Sequence, residues 1–87
     1  MGRLGGKVSI VTGAGSGIGE ATAKLFSAEG ANVVVADIDL DKGQRVVTEI
    51  EDAGGDAIFI KADVSKVVDM ERMVKTTVET YGKLNIL

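Results

Sequence analysis

A group of glycines near the start of the chain offers the clearest chemistry in the sequence. The segment Val8–Thr12 is rich in β-branched residues, and a helical pattern begins soon after it. Four glycines stand between the two patterns: Gly13, Gly15, Gly17 and Gly19. A strand that enters a helix through such a turn directs several backbone N–H groups, and the positive end of the helix dipole, towards one point. The pattern therefore predicts a binding site for a phosphate or diphosphate.

The spacing of these glycines follows T-G-x-x-x-G-x-G, which runs from Thr12 to Gly19, and not the literal G-x-G-x-x-G fingerprint. In this form it resembles the cofactor loop of the short-chain dehydrogenase/reductase family, and the resemblance covers the whole chain. We expect Gly13 to adopt a positive φ, Gly17 to let the backbone approach the diphosphate, and Gly19 to let the helix pack against the strand. The alternative, a flexible loop without a ligand, is less favoured because a strand and a helix flank the glycines.

An acidic residue, Asp37, follows the second predicted strand. At this position we expect it to face the adenosine ribose, which carries an extra phosphate in NADP but not in NAD. Its carboxylate can accept hydrogen bonds from both ribose hydroxyls of the adenosine. It would repel the extra phosphate of NADP by roughly 4 kcal/mol at about 4 Å and an effective dielectric near 20. In the family a basic residue at one of two positions usually marks NADP binders, and here Ser16 and Ile38 occupy them. The predicted cofactor is NAD, unless Asp37 is only a solvated strand-end carboxylate.

The resemblance implies further cofactor contacts. Asp63 would lie near the adenine amino group, Val64 would pack against the ring, and Ile18 would lie near the nicotinamide half. The residues alone say only that a polar–apolar pair ends a strand and that Ile18 begins a helix. The complete predicted cofactor-binding set is Gly13, Gly15, Ser16, Gly17, Ile18, Gly19, Asp37, Ile38, Asp63 and Val64.

Short β-like segments alternate with longer helical patterns, which is typical of a parallel α/β sheet. The predicted strands are Lys7–Thr12, Asn32–Ala36, Ala57–Ala62 and a fourth that begins in Leu84–Leu87. The predicted helices are Gly17–Glu29, Asp39–Ala53 with Asp39 as its cap, and a third that Ser65 caps and Gly82 ends. We expect the N-terminal βαβαβα half of a Rossmann-type doubly wound sheet, with strand order 3-2-1-4 and truncated at strand 4. Residues 1–87 would then be the dinucleotide-binding part of one domain.

Periodicity also predicts the inner face of each helix. The first stripe consists of Ile18, Ala21, Thr22, Leu25 and Phe26; the second of Val46, Val47 and Ile50; the third of Met70, Met73, Val74, Thr77, Val78 and Tyr81. Since the third helix covers only part of its side of the sheet, we expect exposed apolar strand side chains there. Such surface favours self-association, or marginal stability of the isolated chain.

Composition narrows the classes of function. The 87 residues carry a net charge of −3 without a basic stripe, which argues against a nucleic-acid partner. The sequence contains no Cys and no His, so the usual metal ligands are missing and no metal site is expected. No apolar run approaches the ~20 residues of a membrane span, and no signal peptide is recognisable. The expected location is cytoplasmic.

The resemblance implies an NAD(H)-dependent oxidoreductase that transfers hydride between the cofactor and a small alcohol or carbonyl substrate. A homo-oligomer is also expected. The family's catalytic Ser and Tyr-x-x-x-Lys pair are not found in this chain. The chain has one tyrosine, Tyr81, and the residue four positions after it is Asn85 and not the lysine of the pair. The chain is therefore expected to supply cofactor binding and no catalytic residue. The alternative is a non-catalytic dinucleotide-binding or redox-sensing module.

Overall fold

Three strands alternate with three helices in the computed structural model, which describes residues 3–86. The elements are β1 Val8–Thr12, α1 Gly17–Ala28, β2 Asn32–Asp37, α2 Leu40–Asp52, β3 Asp56–Lys61 and α3 Val67–Tyr81. For β1 to β3 and for α1 and α2, the predicted ends agree with these bounds to within one residue. The predicted α/β class is confirmed.

The three strands form one parallel sheet in which β2 lies between β1 and β3. Because all three run the same way, their carboxyl ends lie along one edge, where ligands bind in open α/β sheets. The segment predicted as a fourth strand contacts the free side of β1 through an isolated parallel bridge between Ser9 and Ile86. Leu87 lies outside the described residues, so a full fourth strand beside β1 stays a prediction.

Alternating side chains of β2 divide the core into two layers. Val33 and Val35 face α1 and α2, whereas Val34 and Ala36 face α3. All four are buried, because helices cover both faces of the sheet. A central strand of this kind has a continuous apolar sequence, and the three consecutive valines of β2 fit this pattern.

The expected exposure of apolar strand side chains is wrong for β1. Val8 is buried, and Ile10, on the α3 side of the sheet, is only 2% exposed. The chain after α3 returns to this edge: the N–H groups of Asn85 and Ile86 donate to Val8 O at 2.9 and 3.1 Å, and Leu84 packs on the same apolar layer. The exposed large apolar side chains lie on helices and loops instead: Ile18, Leu25, Ile38, Leu40, Val64, Val67, Val68 and Val78.

The predicted inner face of α1 is only partly correct. Ala23 is the buried residue of this helix, Phe26 packs against the core, and Ile18 and Leu25 are 87% and 58% exposed. The stripe extends beyond the edge of the three-stranded sheet, where Ile18 and Phe26 line an open groove beside Ile86.

The other two helices follow the prediction more closely. The predicted inner residues of α2 are all buried. On α3, Met73 and Thr77 are buried, but Val78 is exposed. No helix between residues 3 and 86 has the length and apolar character to span a membrane.

Candidate cofactor site

The segment between β1 and α1, which we call the glycine loop (residues 13–19), lies at the carboxyl edge of the sheet. Gly13 has φ +63°, as expected for the turn that leaves the strand. The Ala14 N–H donates to Ala36 O at 3.1 Å and ties the loop to β2. A Cβ on Gly19 would stand 2.1 Å from Gly13 O, so only glycine allows the first turn of α1 to lie this close to the end of β1.

Four consecutive backbone N–H groups of the loop are available to a ligand. Within residues 3–86, the amides of Ser16, Gly17, Ile18 and Gly19 donate no hydrogen bond. The first bond of α1 runs from the Glu20 N–H to Ser16 O at 3.2 Å, and the Ser16 side chain does not cap the helix. These donors at the positive end of the helix dipole form a site for an anion without a basic side chain.

The carboxylate of Asp37 is held beside this loop by two backbone amides. Its Oδ2 accepts from the Gly15 N–H at 2.8 Å, and its Oδ1 accepts from the Asp39 N–H at 2.8 Å. An ionised carboxylate has about four lone-pair positions, so two remain for other donors. A Cβ on Gly15 would stand 2.8 Å from Asp37 Oδ2, so the absence of a side chain at position 15 makes this close contact possible. The glycine loop and Asp37 are thus parts of one site.

Asp39, the other acidic residue after β2, caps α2 as predicted. Its side chain accepts from the Lys42 N–H at 3.0 Å. Ile38, between the two acids, is 64% exposed.

The residues after β3 lie next to those after β2, since the Ala62 N–H donates to Asp37 O at 3.1 Å. Asp63 Oδ1 accepts from the Ser65 N–H at 2.9 Å and from the Ser65 hydroxyl at 2.6 Å. These bonds lower the pKa of Asp63, which keeps the carboxylate ionised at neutral pH. Val64 is 53% exposed. Two apolar side chains, Ile38 and Val64, are therefore exposed at adjacent strand ends.

The prediction that Ser65 caps α3 is wrong. The N-cap is Lys66, whose side chain makes no capping bond, and the Ser65 hydroxyl donates to Asp63 instead. The carboxylate two residues earlier competes for that hydroxyl, which closes a local turn before the helix begins. Asp69, in the first turn of α3, accepts from the Asp63 N–H at 2.9 Å and holds the same turn.

One residue of the site, Arg45 of α2, is not part of the predicted set. Its Nη2 donates to Gly15 O at 3.1 Å, and its guanidinium also binds Glu20 and Glu49. Glu49, in turn, also pairs with Lys24 of α1. The Arg45/Glu49 and Glu20/Lys24 pairs both have i,i+4 spacing. This spacing is the feature of the sequence from which the ion pairs within each helix could have been predicted.

Tyr81 lies at the edge of the sheet opposite the glycine loop. Its hydroxyl donates to Asp56 Oδ1 at 3.0 Å, and Asp56 begins β3 at the opposite edge. Burial, with Asp56 close by, raises the pKa of the Tyr81 phenol. Between residues 3 and 86, no group of three or more carboxylate side chains could hold a metal ion.

The chain resembles several known proteins in sequence. It is 52% identical over 85 residues to tropinone reductase-like 1 of Erythroxylum coca and 51% identical over 82 residues to an uncharacterized oxidoreductase of Thermotoga maritima. These alignments cover 98% and 94% of the chain but 30% and 32% of the two relatives, so the chain spans about a third of their length.

The fold is also shared with solved structures. A hydroxysteroid dehydrogenase from Escherichia coli superposes with a TM-score of 0.96 at 40% identity, over 98% of this chain and 36% of that one. A 7α-hydroxysteroid dehydrogenase complexed with NADH and 7-oxo glycochenodeoxycholic acid gives 0.94 at 38% identity, over 97% and 33%. The family model described as short chain dehydrogenase matches residues 7–87. The chain therefore belongs to the short chain dehydrogenase family.

Proposed function

We propose that this chain binds the adenosine diphosphate half of NAD(H) and is the cofactor-binding part of an oxidoreductase acting on a small alcohol or carbonyl compound. The observation that carries the proposal is the pairing of four free loop amides with a fixed carboxylate at Asp37. Family membership supports the reaction class, and a structural relative complexed with NADH supports the cofactor.

The diphosphate is assigned to the amides of Ser16, Gly17, Ile18 and Gly19. Hydrogen bonds to charged groups contribute about 1.5–3 kcal/mol each, so a few of them hold a diphosphate without a lysine or arginine. The exposed position of Ile18 at the start of α1 fits a contact with the part of the cofactor beyond the diphosphate.

The adenosine ribose is assigned to Asp37. Two backbone amides fix the carboxylate, and its remaining lone pairs are free to accept the two ribose hydroxyls. The negative charge selects against a ribose phosphate. NAD is therefore proposed as the cofactor in preference to NADP.

The adenine ring is assigned to the surface between Ile38 and Val64. Both side chains are exposed at adjacent strand ends, which provides apolar contact for a flat ring. Asp63 is kept ionised by its bonds to Ser65, and its Oδ2 accepts no hydrogen bond from residues 3–86. That oxygen is the proposed acceptor for the adenine amino group.

The role of this chain in the reaction is to bind and orient the cofactor. When bound, the nicotinamide gives or takes the hydride. We assign no catalytic residue within the chain, because the Tyr81 hydroxyl is bonded to Asp56 at the sheet edge opposite the glycine loop. A homo-oligomer is proposed from the exposed apolar residues of α1 and α3.

The proposal is tested by calorimetric titration of NAD and NADP into the chain and into Ile38→Arg. Ile38 is exposed and belongs to neither layer of the core, and the variant adds a cation beside the proposed ribose position. The wild-type chain should bind NAD at least about tenfold more tightly than NADP, and Ile38→Arg should reverse or abolish that preference. Val78→Arg, with the same charge on a distant exposed position of α3, is the matched control. A preference for NADP in the wild-type chain would contradict the assignment of Asp37.

A further inference from the structure

Four charged side chains form a closed group of ion pairs between α1 and α2. Arg45 Nη2 lies 2.8 Å from Glu20 Oε1, and Arg45 Nη1 lies 2.9 Å from Glu49 Oε2. Lys24 binds the same two carboxylates from the other side. Each cation contacts both anions, and the net charge of the group is zero. We call Glu20, Lys24, Arg45 and Glu49 the α1–α2 ion cluster.

Arg45 is the member of the cluster that also contacts the glycine loop. The Nη2 that binds Glu20 donates to Gly15 O at 3.1 Å. The two carboxylates fix the plane of the guanidinium, so this donor points in a defined direction. Lys24 donates to Glu20 and Glu49, and within residues 3–86 it makes no hydrogen bond to the glycine loop.

The bond to Gly15 O determines where the next amide points. In a trans peptide the C=O of one residue and the N–H of the next point in opposite directions. Arg45 draws the Gly15 carbonyl towards α2, and the Ser16 N–H is therefore directed away from α2, on the ligand side of the loop. The same glycine is held at its other end by Asp37, which accepts from the Gly15 N–H at 2.8 Å.

The cluster also removes an electrostatic conflict. Glu20 lies in the first turn of α1, close to the amides assigned to the diphosphate. Hydrogen bonds from Arg45 and then Lys24 lower the pKa of Glu20 to about 2, so it is ionised at neutral pH. Without a bound cation, this carboxylate would repel the phosphate groups.

We propose that Arg45 is a positioning residue for cofactor binding, which fixes the Gly15–Ser16 peptide so that the Ser16 N–H faces the diphosphate. This inference rests on the proposed function of the glycine loop. Arg45 itself does not touch the cofactor. It acts through Gly15 O, and its anchors are Glu20 on α1 and Glu49 on α2.

The test compares Arg45→Met with Lys24→Met, which removes the other cation of the cluster and leaves the contact with Gly15 intact. Two quantities are measured on the full chain: the hydrogen-exchange protection of the Gly15 amide, and the dissociation constant for NAD. For Arg45→Met we expect protection to fall by about tenfold and NAD affinity by roughly three- to tenfold. For Lys24→Met both should stay within about twofold of wild type.

Arg45→Lys provides a second variant that keeps the charge but cannot span Glu20, Glu49 and Gly15 O together. It should resemble Arg45→Met, and it replaces that variant if Arg45→Met does not fold. Equal effects of Arg45→Met and Lys24→Met would show that Arg45 only closes the ion cluster, and would overturn the proposal. If the wild-type chain does not bind NAD, the proposed function fails. The exchange of the Gly15 amide then still decides whether Arg45 positions the loop.

Discussion

At the scale of single residues, the Asp37 carboxylate, which we propose binds the ribose, also holds the glycine loop in place. We expect Asp37→Ala to abolish NAD binding and to lower the free energy of unfolding by about 1–3 kcal/mol, since the N–H groups of Gly15 and Asp39 lose their acceptor. Chemical denaturation and calorimetry measure the two effects. Glu79→Ala, at an exposed position of α3, should change stability by less than about 0.5 kcal/mol. An Asp37→Ala variant that binds NAD like wild type would exclude Asp37 from the site.

Gly19 is where the backbone is most closely packed. In Gly19→Ala the new Cβ would overlap the Gly13 carbonyl, and neither backbone segment can move without opening the turn. We expect a loss of about 1–3 kcal/mol of stability, together with weaker NAD binding, measured by denaturation and titration. Ala21→Ser, at an exposed position two residues further along α1, is the control and should be close to wild type. Unchanged stability and affinity in Gly19→Ala would mean that α1 need not lie so close to β1.

The residue types of the loop, together with Asp37 and Asp39, could be read from the sequence because turns, strand ends and helix caps have local signals. Hydrogen-bond partners could not be predicted in the same way. The Gly15–Asp37 and Gly15–Arg45 bonds join parts of the chain that meet only when β1, β2 and α2 pack together. The prediction that Ser65 caps α3 failed for a similar reason. Its hydroxyl donates to Asp63 instead, and that bond depends on the shape of the turn before the helix.

At the scale of the elements, the ion cluster makes the packing of α1 on α2 depend on pH. The pKa of Glu20 is lowered to about 2 from an ordinary value of 4.5. Because the folded pKa lies below the unfolded one, the ionised carboxylate stabilises the fold fully above about pH 4.5. That contribution is lost as the pH falls from about 4.5 towards 2.

We therefore expect the free energy of unfolding of Glu20→Gln to depend less steeply on pH than that of wild type between pH 4.5 and 2. Denaturation curves at a series of pH values measure this slope. Glu71→Gln, at an exposed position of α3 outside the cluster, should keep the wild-type slope. Parallel curves for Glu20→Gln and wild type would mean that the cluster does not stabilise the fold.

The bounds of the helices and strands could be predicted well because hydrophobic periodicity and glycine positions are local properties of the chain. The buried face of a helix could be predicted only where the sheet extends beneath it. The inner face of α2 lies over β2 and β3, and the residues predicted for it are buried. The apolar stripe of α1 extends past β1 and leaves Ile18 and Leu25 exposed.

At the scale of the whole molecule, the exposed apolar side chains of α1 and α3 lie on opposite faces of the sheet. We expect the chain to self-associate in sedimentation experiments, and Leu25→Gln or Val68→Gln to weaken that association by removing exposed apolar area. Thr80→Gln, at an exposed polar position of α3, should leave it unchanged. A wild-type chain that sediments as a monomer over its soluble concentration range would contradict this expectation.

The central claim is that the glycine loop binds the diphosphate of the cofactor while Asp37 binds its ribose. Mapping NAD onto the ¹⁵N-labelled chain by amide chemical shifts tests this most directly, because each of the proposed donors is a backbone amide. The account predicts that saturating NAD shifts the amides of Ser16, Gly17, Ile18 and Gly19 most strongly, with further shifts next to Asp37. Large shifts confined to other parts of the chain, with these amides unmoved, would contradict it.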